Sequence, residues 1–225
     1  MRNIILYRLK GFLLSAFVLP LFFSINLMAQ PVRSTVETSN QPWRYGIRAG
    51  ANYDIATLQQ GGEYKLGWKA GFVAEKRLVY NMYFQPSLSF QNKGYKYERT
   101  FNDKGNVNAY LIEGVAGILM KFGDERIGRG LIISVAPYFT YGIGGKSSFE
   151  DLRDTSANNF YGKITENTFS DNRLKAFDLG FQLGVGYDIS HRWELGGTYV
   201  FGLHRMMTYT NFRWKGFQVH LSYFF

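Results

Sequence analysis

Counting back from Phe225, every second position is large and apolar: Tyr223, Leu221, Val219 and Phe217, with Ser222, His220 and Gln218 between them. A strand repeats every two residues, so this segment turns one face to an apolar medium and the other to a polar one. The pattern recurs along the chain. Trp43, Tyr45, Ile47, Ala49, Ala51 and Tyr53 alternate with Arg44, Gly46, Arg48, Gly50, Asn52 and Asp54. A second strand over about 65–76 puts Leu66, Trp68, Ala70, Phe72 and Ala74 on one side. A third, over about 82–91, sets Phe84, Pro86, Leu88 and Phe90 against glutamines and serines. Proline has no N–H for a ladder, so Pro86 predicts a bulge. The purest alternation is Phe177 to Ile189, where Phe, Leu, Val and Tyr alternate with Asp178, Gly180, Gln182, Gly184, Gly186 and Asp188. Strands over about 108–122, 131–144, 193–202 and 217–225 bring the count to about eight.

The connections alternate in length. Polar or charged loops are expected over 55–64, 93–107, 146–174 and 204–211, and tight turns near 77–81, 123–130 and 190–192. Long loops on one side and short turns on the other predict an all-β, closed, antiparallel transmembrane β-barrel with an up-and-down meander, its chain ends on the short-turn, periplasmic side. A soluble eight-stranded barrel would have a similar count, so the direction of each face decides. Eight strands enclose barely enough room for side chains. The Phe, Leu, Val, Tyr and Ile set cannot fit there, whereas the glycine-rich set can, so the apolar set faces lipid. Trp43, Tyr45, Tyr187, Trp193, Tyr223 and Phe225 then mark one interface, and Tyr53, Trp68, Phe90, Tyr141, Phe177 and Phe201 the other. The last strand would close the ring against Trp43–Asp54. Its Phe217, Val219, Leu221, Tyr223 and Phe225 read as an assembly signal for the barrel-insertion machinery.

The first residues read differently. Arg2, Arg8 and Lys10 precede an apolar run from Phe12 to Leu27, and Ala29 supplies a small residue, the order expected of a cleaved secretory signal peptide over 1–29. Leu27 stands where a small residue is customary, and an uncleaved anchor is the competing reading. Residues 30–42 are polar and read as a disordered periplasmic lead-in, leaving 43–225 for the barrel. The chain of 225 residues carries a net charge of +9, three positive charges of which fall in the leader. No basic cluster forms a nucleic-acid-binding motif. The absence of cysteine excludes disulfides, thiolate metal sites, a cysteine nucleophile and a lipidated cysteine.

Two stretches carry a family likeness. Phe84-Gln85-Pro86-Ser87-Leu88-Ser89-Phe90-Gln91-Asn92-Lys93-Gly94 resembles a "large-x-Pro-x-Leu-x-aromatic-x-x-Lys-Gly" segment. Phe177-Asp178-Leu179-Gly180-Phe181-Gln182-Leu183-Gly184-Val185-Gly186-Tyr187 is similar to a "Phe-Asp-x-Gly-x-x-x-Gly-x-Gly-aromatic" strand. Both belong to the PorT-like porin-family outer-membrane β-barrels. The resemblance covers Trp43–Phe225 and departs in the fourth strand, where Gly114 and Val115 follow Glu113 without the family's proline. It implies a barrel in the outer membrane of a diderm bacterium. It implies neither a pore nor a secretion role, and brings no catalytic residues.

The inward register collects the candidate chemistry: Arg44, Arg48, Lys69, Glu75, Glu113, Asp178, Gln182 and His220, together with Asp188 and Glu194. Charges of both signs in a narrow lumen must pair, since an unpaired buried charge is costly. The expectation is a polar network that plugs the barrel; a narrow passive pore for small solutes or ions is the alternative. An outer-membrane enzyme would need a nucleophile and a base at the external rim. Only His204 falls there, and Ser147 and Ser148 come from another loop. Gly145-Lys146-Ser147 lacks the first glycine of a phosphate loop, which is Thr140 here, and no helix follows. No acidic or histidine cluster has metal-ligand spacing. No catalytic residue, cofactor or metal is expected, and the chain reads as a monomer in outer-membrane lipid. The long 146–174 loop, with Phe149, Phe160, Tyr161 and Phe169, is the candidate surface for an external or envelope protein partner.

Overall fold

Period-two alternation becomes strand throughout the computed structural model, which describes residues 41–56, 62–100, 103–124, 128–151, 162–169, 174–206 and 213–225. The expected leader, most of the lead-in and the tips of the loops lie outside the described residues. Ten strands follow in chain order: β1 (Arg44–Ala56), β2 (Gly62–Val79), β3 (Met82–Thr100), β4 (Asp103–Asp124), β5 (Arg129–Gly144), β6 (Lys146–Asp151), β7 (Gly162–Asn167), β8 (Phe177–Asp188), β9 (Trp193–Gly202) and β10 (Trp214–Phe224). Eight of them, β1 to β5 and β8 to β10, pair antiparallel in a closed ring. The seam is β1 against β10, from Gly46 opposite Phe224 to Ala56 opposite Trp214. Closure leaves no backbone edge for the lipid to meet, as a spanning sheet requires.

Large apolar side chains cover the outside, among them Phe72 at 71% exposure, Val185, Leu183, Phe139 and Phe217. Rings that mark the two interfaces touch one another: Trp68 lies 5.4 Å from Phe90, which stacks on Tyr110 at 6.0 Å. At the short-turn end Trp193 and Tyr223 lie 4.8 Å apart. The inner face is mostly glycine, serine, glutamine and charge, with Val73, Leu119, Ile132 and Val200 among them. Where a lumen side chain is bulky, glycine opposite makes room: a Cβ on Gly196 would sit 2.4 Å from His220 Nε2.

Three expectations need correction. No bulge occurs at Pro86. The β2–β3 register is the same on either side of it, and on β4 it stands opposite Ala116 in an unbroken run. Proline's missing N–H is tolerated there without displacing the ladder. The register shifts lie instead between Tyr64 and Lys69 and between Arg77 and Val79. Residues 93–107 do not form a charged loop. They extend β3 and β4 into a long hairpin, paired from Lys93 opposite Ala109 to Thr100 opposite Asp103. The 146–174 stretch is not structureless either. β6 adds to the upper part of β4, Ser147 opposite Val107, and β7 adds to β6.

The extension above the ring explains itself by polarity. Below Phe90 and Tyr110 the outward positions of β3 and β4 are apolar; beyond them come Asn92, Lys96, Asn108 and Asn106. The inward positions change the other way, from Gln91, Lys93 and Glu113 to Tyr95, Val107 and Ala109. Outside the bilayer the sheet meets water, so its outer face turns polar and its inner face gathers a core. Lys65 Nζ reaches across β3 at Gly94 to Asn106 Oδ1 at 2.6 Å and to Asn108 Oδ1. A Cβ on Gly94 would lie 2.9 Å from the Lys65 stem and 2.2 Å from the Val107 carbonyl oxygen, so glycine admits that crossing.

Candidate functional site

The lumen is occupied along its length by three layers. The layer nearest the short turns begins with Arg44 on β1, whose Nη1 donates to Glu75 Oε1 at 2.9 Å, while Nη2 donates to the His191 carbonyl. Lys121 Nζ stands between three carboxylates from three strands: Glu75 at 2.8 Å, Asp188 at 2.9 Å and Glu194 at 3.7 Å. Glu194 also takes Arg48 Nη2 at 2.8 Å and faces His220 Nε2 at 3.8 Å. Gln85 knits the group, donating to Glu75 at 3.0 Å and to Glu194 at 2.8 Å and accepting from Arg48. Arg48 Nε reaches Ser222 Oγ at 2.8 Å. Three permanent cations meet three acids here, with His220 beside them.

The middle layer is centred on Glu113, which is fully buried. Lys69 donates to its Oε1, Gln91 Nε2 to its Oε2 at 2.9 Å, and Lys93 Nζ lies 4.0 Å away. Lys69 also donates to Gln218 Oε1 at 3.0 Å. Slightly higher, Tyr138 donates to Asp178 Oδ2 at 2.9 Å, and Lys93 sits over the Tyr138 ring at 5.7 Å. Asn52 donates to Asp54 at 2.7 Å. These strands are too close for such charges to remain hydrated individually, and pairing is what makes their burial tolerable.

The third layer is apolar. Tyr95, Val107, Leu174, Met206 and Trp214 pack together inside the outer mouth, with Phe169 against them. Trp214, 1% exposed, meets Tyr95 edge-on at 6.0 Å. Between the lower charges and the β4–β5–β8–β9 wall remains a cavity of about 40 Å³, bordered by Gln182, Thr198, Ser134 and His220. That is room for a water or so.

Of the residues singled out from sequence, Arg44, Arg48, Glu75 and His220 meet in the first layer, and Lys69 and Glu113 in the second. Asp178 lies above them and Gln182 beside the small cavity. Phe217, Val219, Leu221, Tyr223 and Phe225 all lie on the outward side of the closing strand or just beyond its end. Lys121, Lys93, Asp54 and the apolar cap were missed. Lys121 shares the face of Glu113 by simple period-two counting, and Lys93 that of Gln91; ending the third strand at Gln91 hides Lys93, whereas Lys121 lies inside the expected 108–122 strand, in which Glu113 is read as the one interior charge. His204 packs edge-on against Phe177 at 6.2 Å, and Ser147 Oγ bonds with Thr168 Oγ1 at 3.0 Å. No group of three metal-ligating side chains occurs among the described residues.

A closed antiparallel ring with an apolar exterior and a charged, filled interior defines a transmembrane β-barrel. The family model described as "Outer membrane protein beta-barrel domain" matches residues 28–207, and the chain belongs to that family. It is therefore an outer-membrane β-barrel protein. Solved structures similar to it include Ail, the attachment invasion locus protein of Yersinia pestis, at 12% identity and a TM-score of 0.46. Neisserial surface protein A has 13% identity and a TM-score of 0.43. The N-terminal β-barrel domain of Pseudomonas aeruginosa OprF has 8% identity and a TM-score of 0.35. Each comparison covers 82% of this chain and 100% of the other. No curated protein sequence matches the chain.

Proposed function

We propose that this outer-membrane barrel is a PorT-like member of its family that does not conduct, and that it acts through its extracellular extension as a structural or interaction module of the envelope. The observation that supports this reading is the filled lumen: among the described residues, two layers of paired charge lie beneath an apolar cap. The β4–β6–β7 extension, continued by the rest of 146–174, is the surface we assign to an external or envelope protein partner. In biogenesis the chain is exported behind a cleaved leader and handed, as a monomer, to the barrel-assembly machinery through its last strand. Planar-bilayer recordings of the pure protein test the central point. Only baseline current is expected. Stable, stepwise openings would overturn it in favour of a narrow passive pore. An enzymatic role draws no support from His204, whose ring contact is aromatic rather than catalytic.

A further inference from the structure

The apolar cap fixes the direction of a row of cations. Three of its members lie at the long-loop ends of adjacent strands: Leu174 ahead of β8, Met206 beyond β9 and Trp214 at the start of β10, each at most 4% exposed. Each has a cation as its chain neighbour: Lys175, Arg205 and, on either side of Trp214, Arg213 and Lys215. Neighbours in an extended chain project to opposite faces, so inward cap residues send these cations outward. Exposure agrees, since Lys175, Arg205 and Arg213 are exposed and Lys215 is half-buried. Pairing agrees as well. Lys215 stands opposite Phe201, which faces lipid. The β5–β8 ladder continues to Ala176, whose carbonyl accepts from the Gly142 N–H at 2.7 Å, so Lys175 and Phe177 flank it on one side. Leu203, 46% exposed, donates its N–H to the Leu179 carbonyl at 2.8 Å, and Arg205 follows it by two.

On all three strands or their immediate continuations the outward series is therefore apolar up to the outer interface and then cationic. Phe217 gives way to Lys215, Leu203 to Arg205 and Phe177 to Lys175. The opposite wall differs, because beyond Phe90 and Tyr110 the outward positions of β3 and β4 are Asn92 and Asn108. Two residues of strand rise about 6.6 Å, so each cation stands one step above the lipid-facing row, at the level where headgroups begin. Lys175, Arg205 and Lys215 pair with no carboxylate among the described residues. Among the described residues at this end of β8–β10 the one acid is Asp178, which is buried in the lumen and accepts from Tyr138. An anion that meets this row while its own apolar part lies against Phe177, Leu203 and Phe217 is a lipid headgroup. Cations arriving from different strands suit a tetrahedral phosphate, which accepts from several directions, better than a planar carboxylate, which takes one fork.

The geometry points to a binding site for the phosphate of a lipid headgroup, in the leaflet at the long-loop end, with Lys175, Arg205 and Lys215 as its ligands and Phe177, Leu203 and Phe217 alongside its acyl chains. The site holds whether or not the extension has a partner and whether or not the lumen conducts.

The test uses the full barrel in phosphatidylcholine vesicles containing trace spin-labelled lipid, whose motionally restricted fraction measures association with the protein. Spin-labelled phosphatidic acid should be enriched over spin-labelled phosphatidylcholine about fivefold, the effect of one cation near a membrane surface. The enrichment should fall at least by half in the Arg205→Gln/Lys215→Gln variant. Neither side chain contacts the lumen network, and unchanged gel mobility without heating confirms the fold. A charge-matched control, Lys96→Gln/Lys146→Gln, removes two exposed cations of the extension and should behave as the parent does. Absence of enrichment, enrichment kept by the Arg205→Gln/Lys215→Gln variant, or an equal loss in the control overturns the site. Ionised spin-labelled stearate separates phosphate from charge alone. It should be enriched less than phosphatidic acid, and equal enrichment with equal loss in the variant overturns the phosphate assignment.

Discussion

Replacing Glu113 by leucine probes whether the waist of the barrel is a dry plug or a wet channel. One buried carboxylate there serves two ammonium groups, Lys69 in direct contact and Lys93 at 4.0 Å, and takes a hydrogen bond from Gln91. Glu113→Leu strips both cations of their shared counter-ion, and removing one side of a buried pair costs about 3–5 kcal/mol. Lys69→Met is the milder change. Glu113 then keeps Lys93 and Gln91, so the loss should be about 1–3 kcal/mol, the range for one unsatisfied buried group. The double variant exchanges a buried pair for two apolar side chains and should cost less than the sum of the single changes by about 2 kcal/mol. Urea unfolding of the barrel in phospholipid vesicles, read by tryptophan fluorescence and by mobility on unheated gels, measures all three. A Glu113→Leu cost below about 1 kcal/mol with additive behaviour would refute the reasoning, because solvated charges interact that weakly.

Two further outcomes follow from the outer face. Leu183 lies mid-strand in β8 with half its surface directed to lipid, and Leu183→Arg should cost about 2–4 kcal/mol in vesicle unfolding, as a cation does near the bilayer midplane; a loss below about 0.5 kcal/mol would place that face in water. Deleting Phe225, whose N–H donates to the Tyr45 carbonyl at 3.0 Å and whose ring meets Tyr223 at 5.9 Å, should lower the amount of heat-modifiable barrel in the outer membrane. Unchanged assembly would refute its part in recognition by the insertion machinery.

How much of this was legible in the chain depends on which medium each residue meets. Within the bilayer the outward set is apolar on every strand of the ring, while the inward set is polar on most and mixed on β4 and β5, where Leu119 and Ile132 point inward; the strand count, the direction of each face and the inward placement of Arg48, Lys69, Glu113 and His220 can still be counted off by twos. The first layer was legible only in part. Lys121 continues the face of Glu113 within the expected 108–122 strand, but it stands next to that strand's end, where a long cation reads as snorkelling toward water rather than as part of the lumen. The outer extension was not legible by the same rule. Past Phe90 and Tyr110 the period of two persists while its polarity reverses, so Lys93 to Val107 looks charged and irregular to a reading that expects lipid outside.

That reversal is itself informative about where the membrane ends. A strand that only became disordered beyond the interface would lose alternation, whereas β3 and β4 keep it and exchange its sign. The exchange has one physical cause: outside the bilayer the favourable burial is inward, against Tyr95, Val107 and Trp214, rather than outward against acyl chains. The same cause explains why the cap is apolar although the lumen beneath it is charged. In the membrane the interior is the only place for polar side chains, and above it the interior becomes the only place for apolar ones. The barrel is therefore stoppered at its outer end by the core of its water-exposed extension, and changes that loosen the extension should disturb the cap before they reach the Glu113 layer.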